Sequence, residues 1–110
     1  RRSGRTTHGD RWLWDTLIES AWAASKTKGS YFKSRYHRLA MRRGKKRAEV
    51  AVGHTILVSV YHILKFGLEY RELGEDYFDK LNEAATTSRL IKHLEKLGHK
   101  VTLESLNKAA

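Results

Sequence analysis

The 110-residue sequence has no cysteine and no proline. Without cysteine there is no disulfide, no thiolate zinc site and no cysteine nucleophile, which suits an intracellular setting. Without proline, nothing interrupts long helices by removing an N–H or clashing with the preceding turn. The polar, basic start from Arg1 to Asp10 is not followed by an apolar stretch, so no signal peptide is read. An initiator methionine is also missing, as expected for a fragment, a processed form or a truncated gene. Acidic residues are scarce in the first half of the chain: Asp10, Asp15 and Glu19 are the only three among residues 1–47.

What is present is positive charge, and it is unevenly placed. The formal net charge is +10. Residues 1–47 hold 14 Lys and Arg against those three acids, a net of +11. Residues 48–110 hold eight against nine, a net of −1. Such asymmetry points to one region that meets a polyanion and a remainder that serves as scaffold. Anionic membrane surfaces attract basic segments too, so charge alone does not name the polyanion.

The apolar periodicity is helical. Residues 1–9 read as a basic arm without an apolar face. From Arg11, Trp14, Leu17, Ile18, Ala21 and Trp22 repeat at three- and four-residue steps, with Asp10 or Thr7 as cap. A second helix follows a Ser30 cap, lined by Phe32, Tyr36, Leu39 and Ala40 and ended by Gly44. A third runs from about Lys45 to Phe66, closed by Gly67. Its middle, Val50 to Leu64, is apolar nearly all round, as in a buried central helix or a membrane span. Its length below ~20 apolar residues, together with His54, Thr55, Ser59 and His62, favours burial. Beyond Gly67, a loop with a short helix near Glu75–Leu81 leads to a last helix from about Thr87 to Leu97, ended by Gly98. His99–Leu103 alternates like a short strand, which would need a partner. The expected fold is a mainly all-α single domain. It comprises the arm, a three-helix core over residues 10–66 around the buried third helix, and a C-terminal extension over 67–110.

The densest local feature is Arg42-Arg43-Gly44-Lys45-Lys46-Arg47, five cations in six residues at a helix–helix junction. Such a cluster can neutralise several phosphates, and Gly44 lets the backbone approach closely. Lys26, Lys28, Lys33, Arg35 and Arg38 extend the patch, with Tyr31, Phe32, Tyr36 and His37 among them. Aromatics among cations can stack on unpaired bases. The competing reading is a solvated helix end, with Phe32 and Tyr36 in the core. Arg5 and Arg11, with Arg1, Arg2, Thr6, Thr7 and His8, could hold a nucleic-acid backbone near the first helix start. Asp15 and Glu19, four apart, lack a third acid for a Mg²⁺ site. His54 and His62, eight apart, do not face one point and read as buried histidines with hydrogen-bond partners rather than zinc ligands. No serine has a GxSxG context, and no GxxxxGK[ST] phosphate loop is present.

Beyond these features, the wording of the chain resembles a known family. The block Thr7–Leu13, in which Gly9, Asp10, Arg11 and an aromatic open a helix, is followed by Glu19–Lys28, Tyr36–Ala48 and Val52–Val58. Tyr61–Leu64, Tyr70–Gly74 and Asp76–Asp79 complete the series. In order and spacing these blocks resemble the C-terminal transposase domain of the insertion-sequence 110/116/902 family, the bridge-RNA-guided serine transposases, from about Thr6 to Leu103. The resemblance implies a two-part enzyme that exchanges DNA strands through a covalent serine–DNA intermediate. An N-terminal RuvC-like domain would supply four acidic residues, with Mg²⁺ expected for the intact enzyme and no cofactor in this part. The family's serine lies in a Ser/Gly-rich loop just ahead of the Gly-Asp-Arg block; Ser3 would match it only with a shortened loop. Two positions depart from the pattern: Trp14 stands where relatives usually have Arg, and Gly53 where Ala is usual.

The implied partners are DNA and a structured guide RNA. The intact protein would assemble as a homo-oligomer in the prokaryotic cytoplasm at the nucleoid, without a membrane. Base pairing with RNA would read sequence, leaving the protein mainly backbone contacts. The residues expected to make them are Arg5, Arg11, Lys26, Lys28, Lys33, Arg35, Arg38, Arg42, Arg43, Lys45, Lys46 and Arg47. The chain alone is expected to bind rather than catalyse. Two alternatives stay open: a free-standing helical nucleic-acid-binding module or domesticated element remnant, and a membrane-associated basic protein centred on Val50–Leu64.

Overall fold

A computed structural model of the chain describes Arg5 and residues 7–106. Regular structure among them is entirely helical: α1 (Arg11–Lys26), α2 (Tyr31–Arg43), α3 (Lys45–Phe66), α4 (Tyr77–Leu81) and α5 (Glu83–Lys96). The alternating segment His99–Leu103 forms no strand, since no strand exists among the described residues to pair with it.

Local chemistry sets the helix ends. The Asp10 carboxylate accepts a hydrogen bond from the Leu13 N–H at 2.8 Å and opens α1. Ser30 Oγ accepts from the Lys33 N–H at 3.1 Å and donates to the Thr27 carbonyl at 3.0 Å, fixing both the start of α2 and the turn before it. Gly44 alone separates α2 from α3. Its φ of 87° is open to glycine and strained for other residues, and its N–H bonds back to the Ala40 carbonyl at 3.0 Å. This tight link returns α3 alongside α2, so that Tyr31 and Phe32 at the start of α2 lie near Val58, Ser59, His62 and Ile63 of α3.

The molecule divides into two compact units, one ending at Tyr77 and one beginning at Phe78. In the first, α1, α2 and α3 pack on one another. Its fully buried apolar side chains are small: Ala21, Ala48 and Val52. Gly53 is buried with them, and a Cβ built on it would stand 3.4 Å from the Leu17 carbonyl oxygen and 3.6 Å from Leu17 Cβ. Helix α1 therefore crosses α3 at close range, backbone nearly against backbone.

Burial of α3 differs from the expectation. Only Ala48, Val52 and Gly53 are buried along its 22 residues. Leu57, Val58, Val60, Tyr61, Leu64 and Phe66 are exposed, Leu64 by 79%. Two neighbouring helices cannot cover a helix that is apolar all round. At ~1.5 Å per residue, α3 is also ~33 Å long against ~20 Å for the 13-residue α2. His54 and His62 are likewise exposed rather than buried. His62 Nδ1 lies 2.8 Å from the Val58 carbonyl one turn back.

Residues 68–77 strap the start of α2. Tyr70 stacks on half-buried Phe32 with centroids 6.1 Å apart, and Tyr77 meets Tyr31 edge-on at 5.3 Å. The Glu72 carboxylate accepts from the Tyr31 N–H at 2.6 Å, the Gly74 N–H at 2.9 Å and the Tyr70 hydroxyl at 3.0 Å. It places a negative charge at the positive end of α2, whose own first turn has no acid.

In the second unit, α5 starts four residues earlier than expected. Asn82 caps it, accepting from the Ala85 N–H at 3.2 Å, with Glu83 in the first turn. Its stripe of Leu90, Ile91 and Leu94 ends where Gly98, at φ 93°, donates to the Glu95 carbonyl at 3.0 Å. No helix among the described residues is long and apolar enough to cross a membrane.

Partial burial raises the Glu72 carboxyl, but the donors Tyr31 N–H, Gly74 N–H, Tyr70 hydroxyl and Leu73 N–H outweigh it and hold Glu72 below 4.5. A group with a lowered folded pKa stabilises above its unfolded value and loses that contribution as pH falls through the folded one. Glu72→Gln should therefore lower thermal stability at neutral pH by about 0.5 kcal/mol or less, because water screens the exposed carboxylate. The gap to wild type should close as pH falls below 4.5 in circular-dichroism melts. Gly53→Ala should raise stability by ~0.5–1 kcal/mol, because the helix-propensity gain meets only ordinary contact at Leu17. A lowered melting temperature in Gly53→Ala would mean the α1–α3 crossing cannot give way.

Candidate nucleic-acid interface

Arg5 and Thr7, with α1, α2 and α3, surround one groove of ≈ 620 Å³. Its cationic members come from three places distant in sequence: Arg5 from the arm, Arg35 from α2 and Arg47 from α3. Helical periodicity puts Arg47, Val50, Ala51, His54 and Leu57 on one face of α3, and Trp14, Leu17 and Ile18 on one face of α1. The close crossing at Leu17 and Gly53 sets the groove floor.

A second groove of ≈ 440 Å³ shares Arg5, Thr7 and Trp14 with the first and adds His8, Gly9, Asp10 and Arg11. The two make one continuous basic channel along the start of α1. Asp10 lies in it, but its carboxylate is engaged by the Leu13 N–H. Arg35 is half-buried, and its Nε is screened from solvent with no hydrogen-bond partner among the described residues. The fold itself leaves this donor unsatisfied.

The five-cation cluster sits at the adjoining end of the molecule, all of it exposed. Arg42 and Arg43 occupy the last turn of α2, where the helix dipole favours cations. Lys45, Lys46 and Arg47 occupy the first turn of α3, where it opposes them. That turn has no side-chain cap and no acid. Uncapped N–H groups and three cations together make this turn electropositive. Arg47 belongs to both the cluster and the groove.

The remaining expected cations do not line the groove. Lys26 lies over the exposed Trp22 ring, 5.4 Å from its centroid, and Lys28 is exposed in the α1–α2 turn. Lys33 is half-buried, while Arg38 is exposed. Ser3, with Arg1, Arg2 and Thr6, lies outside the described residues. Asp15 is 3.9 Å from Arg11 in an exposed pair, and no cluster of three or more potential metal ligands occurs among the described residues. Sequence periodicity missed the convergence of Arg5, Arg35 and Arg47 because it is a tertiary fact. It also put Trp14 on the core face of α1, whereas the residue is 41% exposed and lines both grooves.

Comparison with protein-family models, with curated proteins and with solved structures finds no match to this chain.

Arg47 gives the most direct test, being exposed and shared by both features. Arg47→Gln should leave the fold intact, weaken duplex DNA and reduce the slope of log K against log salt by about one. Fluorescence anisotropy across a salt series checks it; an unchanged slope removes Arg47 from the interface.

Proposed function

We propose that this chain is the nucleic-acid-binding, C-terminal domain of a bridge-RNA-guided serine transposase of the insertion-sequence 110/116/902 type, binding DNA and structured RNA and relying on another domain for chemistry. The observation that carries the binding part is the arrangement of cations around Gly44 and their continuation through Arg47 into the groove. The family assignment rests on the order and spacing of the sequence blocks from Thr7 to Asp79.

The two supports are consistent in physical terms. A protein that delegates sequence reading to an RNA needs contacts to sugar–phosphate backbones, and exposed Lys and Arg supply these without base preference. Arg gives planar, two-pronged contacts to phosphate, while Lys45 and Lys46 act as point charges. The free N–H groups of the α3 first turn add directional donors. On this reading the domain's part is to hold and orient nucleic acid. Strand cleavage would belong to a serine and to acidic residues elsewhere in the assembled enzyme.

The test is binding by the whole chain. It should bind both duplex DNA and structured RNA with steep salt dependence. The variant carrying Arg42→Gln, Arg43→Gln, Lys45→Gln and Lys46→Gln should lose about 0.9 of slope on duplex DNA for each phosphate contact removed. A wild-type slope near zero overturns the binding reading. Sequencing ahead of the codon for Arg1 tests the family reading. An in-frame acidic domain with a Ser/Gly-rich loop is expected, and an unrelated frame there leaves binding alone.

A further inference from the structure

Resting on the nucleic-acid reading above, we infer that the groove between α1 and α3 takes an unpaired nucleotide, with its base stacked on Trp14 and its phosphate held by Arg35 and Arg47. The rest of the basic surface would meet backbone of any form. This groove would discriminate single strands from duplex.

Three observations carry the inference. First, of the three tryptophans, Trp14 alone lines a groove that also contains cations. Trp22 has its ring occupied by Lys26, and Trp12, 85% exposed, lines none of these grooves. Trp14 is partly exposed at the place where the two grooves join, so its π-face is within reach of a ligand from either side. Second, the groove is concave and mixed in character. Leu17, Ile18 and Leu57 give it an apolar floor, and Arg5, Arg35 and Arg47 give it charge. Its ≈ 620 Å³ lies within the ~300–1,000 Å³ typical of sites for small organic ligands, a class to which a nucleotide belongs by size. Third, Arg35 holds a screened Nε that lacks an acceptor, at the wall of this groove rather than on the outer surface.

Duplex geometry does not match such a site. A duplex keeps its bases stacked inside and presents phosphates on a convex surface, which touches only the rim of a groove. An unpaired nucleotide brings a free π-face for Trp14 and a phosphate for the guanidinium groups, and every base offers that π-face. The site would therefore favour single-stranded segments without reading their sequence.

The experiment compares a single-stranded oligothymidylate with a short duplex, using the whole chain. Trp14→Leu keeps an apolar side chain against Leu17 and removes the aromatic face; Trp14→Phe keeps an aromatic face. Trp14→Leu should weaken oligothymidylate binding at least about fivefold, weaken duplex binding clearly less and leave the salt slope unchanged, with Trp14→Phe in between. Wild-type single-strand affinity in Trp14→Leu overturns the inference, as does equal loss on single strand and duplex. The Arg47→Gln variant separates this from the underlying reading. If Arg47→Gln weakens both nucleic acids while Trp14→Leu weakens neither, the stacking site fails and the binding surface stands. If the wild-type chain binds neither nucleic acid, both fail together. Circular-dichroism melts of each variant identify any loss that comes from unfolding, and in that case Trp14→Phe alone decides. Its single-strand affinity then falls below wild type on the inference and equals it if stacking plays no part.

Discussion

At the crossing of α1 and α3, a Cβ on Gly53 would meet the Leu17 carbonyl at 3.4 Å, and the rest of the structure depends on that proximity. The buried apolar side chains nearby are two alanines and a valine, which occupy little space and let helix axes come together. Because α1 lies so close, Arg5 and Thr7 ahead of it and Trp14 in its first turn stand beside Arg47 and His54 of α3. A side chain larger than alanine at Gly53 would lift α1 away from α3, and the groove that gathers Arg5, Arg35 and Arg47 would lose its wall. Packing at one buried point thus sets the geometry of an exposed basic surface.

Charge is arranged around this packing with two opposite uses of helix ends. Glu72 stands at the positive end of α2 and is tied there by three hydrogen bonds. The positive end of α3 has no such partner and instead carries Lys45, Lys46 and Arg47. Within one molecule, then, one helix start is neutralised internally while another is left charged and open. Dipole and side-chain charge oppose each other at α3 unless an external anion is present. This contrast is a stronger argument for a polyanion than the net charge of the chain, since net charge alone would also suit an ordinary solvated surface.

Much of the helical framework was legible because its signals are local. Asp10, Ser30, Gly44 and Gly67 each mark a boundary through a bond or a backbone angle involving residues within a few positions. The limits of α3 follow directly from its two glycines. What sequence could not supply was neighbourhood. All-round apolarity in α3 was read as all-round burial, yet only two helices of its unit are there to cover it. The histidines inherited the same error. The early start of α5 was missed because Asn82 was read as loop rather than as a cap, although its bond to Ala85 is as local as the others. For the site, the Arg42–Arg47 cluster was visible as adjacent letters, while Arg35 and Arg5 joined it only through folding. Aromatic exposure failed for a related reason: Trp14 shares the apolar stripe of α1, but the stripe is wider than the surface that covers it.

The small core and the large positive charge bear on each other. Few side chains of the first unit are fully buried, so hydrophobic stabilisation of the three-helix packing is modest. Fourteen Lys and Arg lie in residues 1–47, and their mutual repulsion opposes bringing the arm, α1, α2 and the start of α3 together. A polyanion in the channel removes much of that repulsion. It also touches residues that are neighbours only when the helices are assembled, so it binds the folded arrangement in preference to the unfolded chain. Any ligand with that preference stabilises the fold in proportion to the logarithm of its concentration over its dissociation constant. On the proposed reading, nucleic acid is therefore part of what holds α1 against α3, and binding and folding of the basic half are one linked equilibrium.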